Sequence, residues 1–524
     1  MKNLKLSILI LFSLIFLKNE VSFAQATLEW AKSYGSNQLN AQIAYDAVTD
    51  TNGNIYVTGN TARGSDVTDM VTIKYSSAGN YLWGKIYDFP GYDYSSETGR
   101  SIALYRNGAK TFIYSAGIIT FGTYNNILLI KYDETGNQKW VKTFSYAPYG
   151  YLNSVPKVIS DESGNCYVSG GSGEKQYVVK YDSAGTLIFG SLIPLTSGIT
   201  RAASYDMAFD SAGNIYLTGD CDSSSTVHYF TSKLNSSGVL QWSKIFRGLV
   251  NYQSSARKVA VGSSGSVYVT GEYQSATMDY LTIKYNPVTG DTIWTKRFNG
   301  TSGVTDYGRL LVLDASENVY ITGVTNYNGN GDMATVKYNS SGIQQWVKVY
   351  SGSGGYLDDP KDMLTDLSGN IYISFACDYS NFGKYGIIKY NSNGDSLWSR
   401  KYDFVSPDFE TPYAITMDNS GNVISTGSIG YENDSDFGTI KYNSSGALQW
   451  ARKFNGSQLV NDAANGMVKD KKGNVYTVGT TRTNSDDNIT VVNIIPQEFR
   501  SGCITEAAAE LQDTMSGMKE KRLE

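Results

Sequence analysis

Residues able to act as acid, base or nucleophile are sparse and scattered in this chain. His228 is the only histidine among 524 residues, so a Ser-His-Asp triad or a multi-histidine metal centre would have to be built around it alone. It aligns with Asp69, Asp279, Asp332 and Asp436 of other repeat copies, which reads as a structural substitution at the start of a strand. Cys166, Cys221, Cys377 and Cys503 fall in different repeats at unrelated spacings. Neither a disulfide framework nor a zinc-ligand pair is visible, and the first three read as small packing residues. Asp50-Thr51-Asn52-Gly53-Asn54 resembles the start of a calcium loop. Other copies place Ala212, Ser368, Ser420 or Lys472 at its third position and no bidentate Glu follows, so it reads as a structural turn. No catalytic residue, metal ligand or cofactor is therefore expected. The competing reading is a polysaccharide hydrolase or lyase that pairs loop carboxylates.

Recognition chemistry is better represented. Where the repeat copies diverge, the long connections carry Tyr92, Asp93, Tyr94, Tyr149, Tyr151, Tyr252, Asp306, Tyr307, Tyr356, Asp358, Asp359, Asp408 and Phe409. A second set of loops, expected on the same face, carries Tyr124, Tyr327, Tyr379, Phe382, Tyr431 and Glu432. An aromatic and acidic rim suits stacking on sugars or gripping a protein, because aromatic faces bury much area at little entropic cost. The ligand-binding candidates taken from it are the named tyrosines with Asp358 and Phe409.

The elements that must position this rim follow from the repeat. All eight tryptophans (Trp30, Trp83, Trp140, Trp242, Trp294, Trp346, Trp398 and Trp450) hold one repeat position, with Phe189 filling the gap. From Trp242 onward the spacing is 52 residues each time, the length of a four-stranded propeller blade. An Asp-x-x-Gly-Asn turn recurs around Gly53, Gly164, Gly213, Gly369, Gly421 and Gly473, with drifted versions at Gly108, Gly265 and Glu317. Asp early in such a turn bonds its own backbone, and Gly takes the positive φ. Strands such as Val71-Thr72-Ile73-Lys74-Tyr75 are β-branched and aromatic, as burial on both faces requires. The lysine before the recurrent tyrosine (Lys74, Lys131, Lys180, Lys233, Lys284, Lys337, Lys389 and Lys441) must then be paired, with an acid of its own blade or a turn carbonyl.

Connection lengths set the phase. Three links per copy are short and the fourth runs about ten residues, so each blade reads as strands A to D with Trp on the outer strand D. On that phase the chain opens with an orphan D strand, Leu28 to Tyr34, and closes with strands A to C lacking a D strand. The expected fold is all-β: one closed nine-bladed propeller whose N-terminal strand completes the last blade, which removes both sheet edges.

Gly53-Asn54-Ile55-Tyr56-Val57-Thr58-Gly59 and Thr72-Ile73-Lys74-Tyr75 resemble the SBBP repeat family of secreted and surface bacterial proteins, named for a seven-bladed β-propeller. The resemblance covers about residues 28 to 495 and departs from the family name in its nine copies. It implies a secreted, periplasmic or surface location. Lys284 to Trp294 also looks like the tryptophan docking motif of quinoprotein-type propellers, where the motif is structural. The quinone pocket of that family has no counterpart in this sequence.

The ends and the charge complete the reading. Lys2 and Lys5 precede an apolar run from Leu6 to Leu17 and then Ser22-Phe23-Ala24, as in a cleaved secretory signal over residues 1 to 24. That run is 12 residues, too short to span a bilayer. With 49 acidic against 44 basic residues, nucleic acid is not an expected partner. Residues 496 to 524 leave the repeat and read as a helical or disordered tail. The sequence thus points to a secreted, monomeric, non-catalytic propeller spanning residues 25 to 495 that binds carbohydrate or protein through one face, or serves as a structural surface spacer.

Overall fold

A computed structural model describes residues 27–495, apart from 35–41, 63–66, 92–93, 122–123, 145–155, 173–174, 194–197, 224–225, 248–251, 301–304, 327–330, 353–355, 379–382, 405–408, 431–434, 456–461 and 483–486. The expected signal segment over residues 1–24, the tail and Cys503 lie outside the described residues. Nine antiparallel four-stranded sheets form a ring, a nine-bladed β-propeller. Blade 1 consists of Gln42–Thr49, Ile55–Ala62, Thr68–Tyr75 and Tyr81–Tyr87, strands A to D in order. Blades 2 to 8 repeat that order over residues 96–144, 157–193, 201–246, 254–298, 306–350, 359–402 and 410–454. Blade 9 takes strands A to C from residues 463–495 and its strand D from Thr27–Tyr34, paired antiparallel with Asp487–Ile495.

Two irregularities recur in register, the first in every blade but blade 3. Strand A bulges near its start, as between Ala44 and Asp46, which leaves Tyr45 without a partner on strand B. Such bulges re-aim a side chain and sharpen the local twist. Opposite the bulge the recurrent glycine of strand B allows backbone contact, since a Cβ on Gly59 would lie 1.9 Å from the Ile43 carbonyl oxygen. The second irregularity sets the repeat lysine directly across from the tryptophan, as Lys74 faces Trp83, or from Phe189 in blade 3, which faces Lys180.

The core lies between blades. Tyr268, Tyr280 and Trp294 of blade 5, for example, pack with Leu311, Val319, Ile321 and Val336 of blade 6. Lysine and tryptophan then act as one clamp on the next blade: Lys74 Nζ and Trp83 Nε1 both donate to the Glu134 carbonyl, at 2.9 and 3.0 Å. Equivalent carbonyls serve the pairs up to Lys389 and Trp398, which meet Ser444. Blade 9 has no covalent C-to-D turn, because its strand D comes from the other end of the chain. Lys441 of blade 8 accordingly turns to Asp418 at 2.7 Å, and Trp450 Nε1 meets no acceptor among the described residues. Both expected modes of lysine pairing thus occur, and the ring's architecture selects between them.

Candidate functional site

The rim residues are distributed around the ring. Tyr94 is 88% exposed on the connection between blades 1 and 2, and Tyr307 at the start of blade 6 is 36% exposed. Tyr252, Tyr356 and Phe409 are half-buried on three further connections. Tyr124 opens strand C of blade 2, with its side chain outside the described residues. Tyr92, Tyr149, Tyr151, Tyr327, Tyr379 and Tyr431 also lie outside them, as do Asp93, Asp408, Phe382 and Glu432.

Asp358 is fully buried. Its carboxylate accepts the Gly352 N–H at 2.6 Å and the Asp378 N–H at 3.3 Å. Asp306 likewise accepts the Gly300 N–H at 2.8 Å, and Glu410 accepts the Phe404 N–H. These acids pin the long connections from within, because buried backbone donors need acceptors. Burial pushes the Asp358 carboxyl up to about 6, against the opposing pull of the two amides. A carboxyl raised on folding contributes stability at low pH, and that contribution is lost as pH rises through about 6. Asp358→Asn should therefore remove part of the fall in melting temperature from acid to neutral pH. Superimposable pH profiles of the two proteins would contradict this.

Asp69, Asp88 and Glu97 bring three carboxylate oxygens within 4.8 Å of one another between blades 1 and 2, a spacing able to hold a metal ion. Burial, then Asp69 and Asp88, raise the Glu97 carboxyl to about 7. At the equivalent corners Arg297 neutralises Asp279, Lys453 neutralises Asp436, and Lys384 pairs with Asp403 at 2.8 Å.

A polar constellation missed by the sequence reading sits on blades 4 and 5. Arg201, which opens strand A of blade 4, grips Asp222 with two N–H groups at 2.8 and 3.0 Å and Asp220 with one at 3.0 Å. Tyr205 is the bulge residue of that strand. Its hydroxyl donates to Asp220 at 2.9 Å, and the Ser255 hydroxyl of blade 5 donates to the same oxygen at 3.1 Å. Arg257, the bulge residue of blade 5, stacks 5.3 Å from the Tyr205 ring centroid and donates to Glu272 at 3.0 Å. Tyr205 remains 39% exposed. Burial raises the Asp220 carboxyl while Arg201 opposes the shift. Tyr252 passes close by, its carbonyl accepting the Val227 N–H at 3.2 Å. The sequence did hold a signal for this cluster. The residue after the recurrent strand-B glycine is an acid only in Asp220 and Glu272, against Asn60, Ile118, Gly171, Val324, Ser428 and Thr480 elsewhere.

No family model matches the chain, and no curated protein does. Among solved structures it is similar to Sqt1 from Chaetomium thermophilum, with 10% identity and a TM-score of 0.46 over 88% of this chain and 100% of that one. The Dos1 propeller matches with 12% identity and a TM-score of 0.47 over 75% and 91%. A polysaccharide lyase, Uly1, matches with 11% identity and a TM-score of 0.37 over 68% and 93%. The nine-bladed assignment rests on the strand pairing itself.

His228 lies beside the same cluster, on the neighbouring register of strands B and C. Its Nε2 is 2.8 Å from the Ser223 hydroxyl, while Nδ1 has no hydrogen-bond partner among the described residues. A serine nucleophile works when an acid on Nδ1 orients the ring. Burial holds this imidazole below its ordinary pKa and therefore neutral.

Proposed function

We propose that this protein is an exported, non-catalytic propeller of the SBBP-repeat type that binds carbohydrate through blades 4 and 5. The observation that carries the reading is the Arg201, Tyr205, Asp220, Arg257 and Glu272 constellation. The strand-B acids of that constellation are peculiar to these two blades, and Tyr205 stays 39% exposed among them. Locked guanidinium groups beside a half-exposed tyrosine offer a preorganised hydrogen-bonding and stacking surface. The charged groups there are already paired with one another, which favours holding a ligand over moving its protons. Protein recognition is the second reading, favoured by Tyr94, a large aromatic standing 88% exposed on a different connection.

Binding of the full mature chain to polysaccharide fragments, with product analysis of every mixture, tests the proposal. Tyr205→Ala and Arg257→Ala should each weaken binding about tenfold, equivalent to about 1.4 kcal/mol, with melting temperature little changed. Release of product would establish the hydrolase or lyase alternative. Unchanged affinity in both variants would remove blades 4 and 5 from the site, and binding to no fragment would favour a protein partner or a spacer. Cell fractionation with residues 1–24 present and deleted tests export.

A further inference from the structure

The inner wall has a pocket at the seam where the ring closes. The bulges of blades 1, 8 and 9 free Tyr45, Tyr413 and Asn465. The residue after the bulge then decides how full the wall is. It is Asp206, Lys258, Leu310 and Asp362 in blades 4 to 7, but only Ala414 and Gly466 in blades 8 and 9. Two successive truncated side chains leave a pocket of about 210 Å³ between the A strands of blades 8, 9 and 1. The space is open, since a Cβ added to Gly466 would meet no atom within 4 Å.

Its lining has two characters. Met467, Val478 and Ala47 form apolar wall, and Asp46, Asn465 and Tyr45 supply the polar groups. Asp46 accepts the Ala47 N–H and, across the blade boundary, the Ile102 N–H, each at 2.9 Å. Those bonds, with the Ser101 hydroxyl as a third donor, fix the carboxylate in place and leave it one acceptor position. Asn465 donates one amide hydrogen to the Ala44 carbonyl at 2.7 Å, which orients its oxygen and second hydrogen. The Tyr45 ring is held by Arg100, whose guanidinium lies 4.1 Å from the ring centroid. Arg100 Nε is itself buried and without a hydrogen-bond partner among the described residues. Anchored acceptors and donors at one side of a small apolar pocket match a ring with an apolar face and a hydroxylated edge. The pocket is at the small end for ligand sites, which suits one monosaccharide unit.

We propose that the seam pocket binds a single neutral sugar residue, with Asp46 and Asn465 taking its hydroxyls. This site is separate from blades 4 and 5 and does not rest on the reading given to them. Saturation-transfer NMR and calorimetry of the full mature chain with glucose, galactose, mannose, N-acetylglucosamine and glucuronate test it. At least one neutral sugar should bind saturably. Gly466→Val, which fills open space on an ordinary backbone conformation, should weaken that binding at least tenfold while the far-UV spectrum and melting temperature persist. If Gly466→Val does not fold, Ala414→Val serves the same purpose from the opposite wall. No saturable binding by any neutral sugar would overturn the proposal, as would equal binding by the filled variant. Loss of binding in Tyr205→Ala with none in the filled variant would place the sugar at blades 4 and 5 and likewise overturn it.

Discussion

A shortened chain that begins at Gln42 should lose most of its stability and associate through the exposed edge of Asp487–Ile495. The missing strand pairs with that segment from Thr27 to Tyr34 and completes blade 9. Trp30 is 9% exposed there and packs on the C-to-D turn of blade 1, where a Cβ on Gly79 would lie 2.2 Å from its ring. Tyr34 stacks on Tyr81 of blade 1 with ring centroids 5.8 Å apart. Removing one buried tryptophan costs about 3–5 kcal/mol, against a typical total of about 5–15 kcal/mol for a folded domain. The deletion also removes the outer strand of blade 9 and leaves a hydrophobic strand edge free to template association. Thermal melting and light scattering should show a much lower transition and oligomers. A synthetic peptide of residues 27–34 should restore both in a concentration-dependent way, because it binds only the native ring. A shortened chain that stays monomeric with an unchanged transition would show that closure contributes little.

The second large effect concerns one turn that borrows its carboxylate. In the regular copies, Asp50 accepts the Asn52 and Asn54 N–H groups at 2.8 and 2.9 Å and the Tyr56 hydroxyl at 3.0 Å. Blade 5 has Gly262 where that Asp belongs. Glu317, from the turn of blade 6, reaches across instead and accepts the Ser264 N–H, the Ser264 hydroxyl at 2.8 Å and the Tyr268 hydroxyl at 3.0 Å. Glu317 also stands where the regular turn has Gly, with a φ of 57°. A Cβ on Gly262 would lie 2.4 Å from the Glu317 carboxyl carbon, so the two departures are mutually exclusive with the regular arrangement.

Glu317→Gly alone relieves the positive φ but leaves the Ser264 N–H and the buried Tyr268 hydroxyl without acceptors, at about 1–3 kcal/mol each. Gly262→Asp alone forces a second carboxylate against the first. The double variant rebuilds the regular turn in both blades. We expect each single change to be destabilising and the pair to recover most of the loss, a coupling of about 2 kcal/mol or more in a denaturant double-mutant cycle. Additive effects would show that Glu317 does not stand in for the missing Asp.

The sequence by itself determined the blade. Strand alternation, turn chemistry and the position of the tryptophan are set by neighbours along the chain, and these recur often enough to show the phase. From the phase came the orphan strand at 28–34, the gap after Ile495 and hence a ring of nine. Even the demand that the repeat lysine be paired was legible, because a two-faced buried strand leaves no other option.

Tertiary structure decided everything that passes between blades, where partners stand about 50 residues apart and a bulge sets the direction of each side chain. It chose the Glu134 carbonyl of the next blade for Lys74 and turned Lys441 inward at the seam, where no such turn exists. It buried Asp358 as a pin under its connection, although its position among loop tyrosines suggested a rim residue. It also gathered Arg201, Tyr205, Asp220 and Arg257 into one polar cluster from two blades. Composition and spacing report which groups are present in each repeat, and only the closed ring brings groups of different repeats within bonding distance.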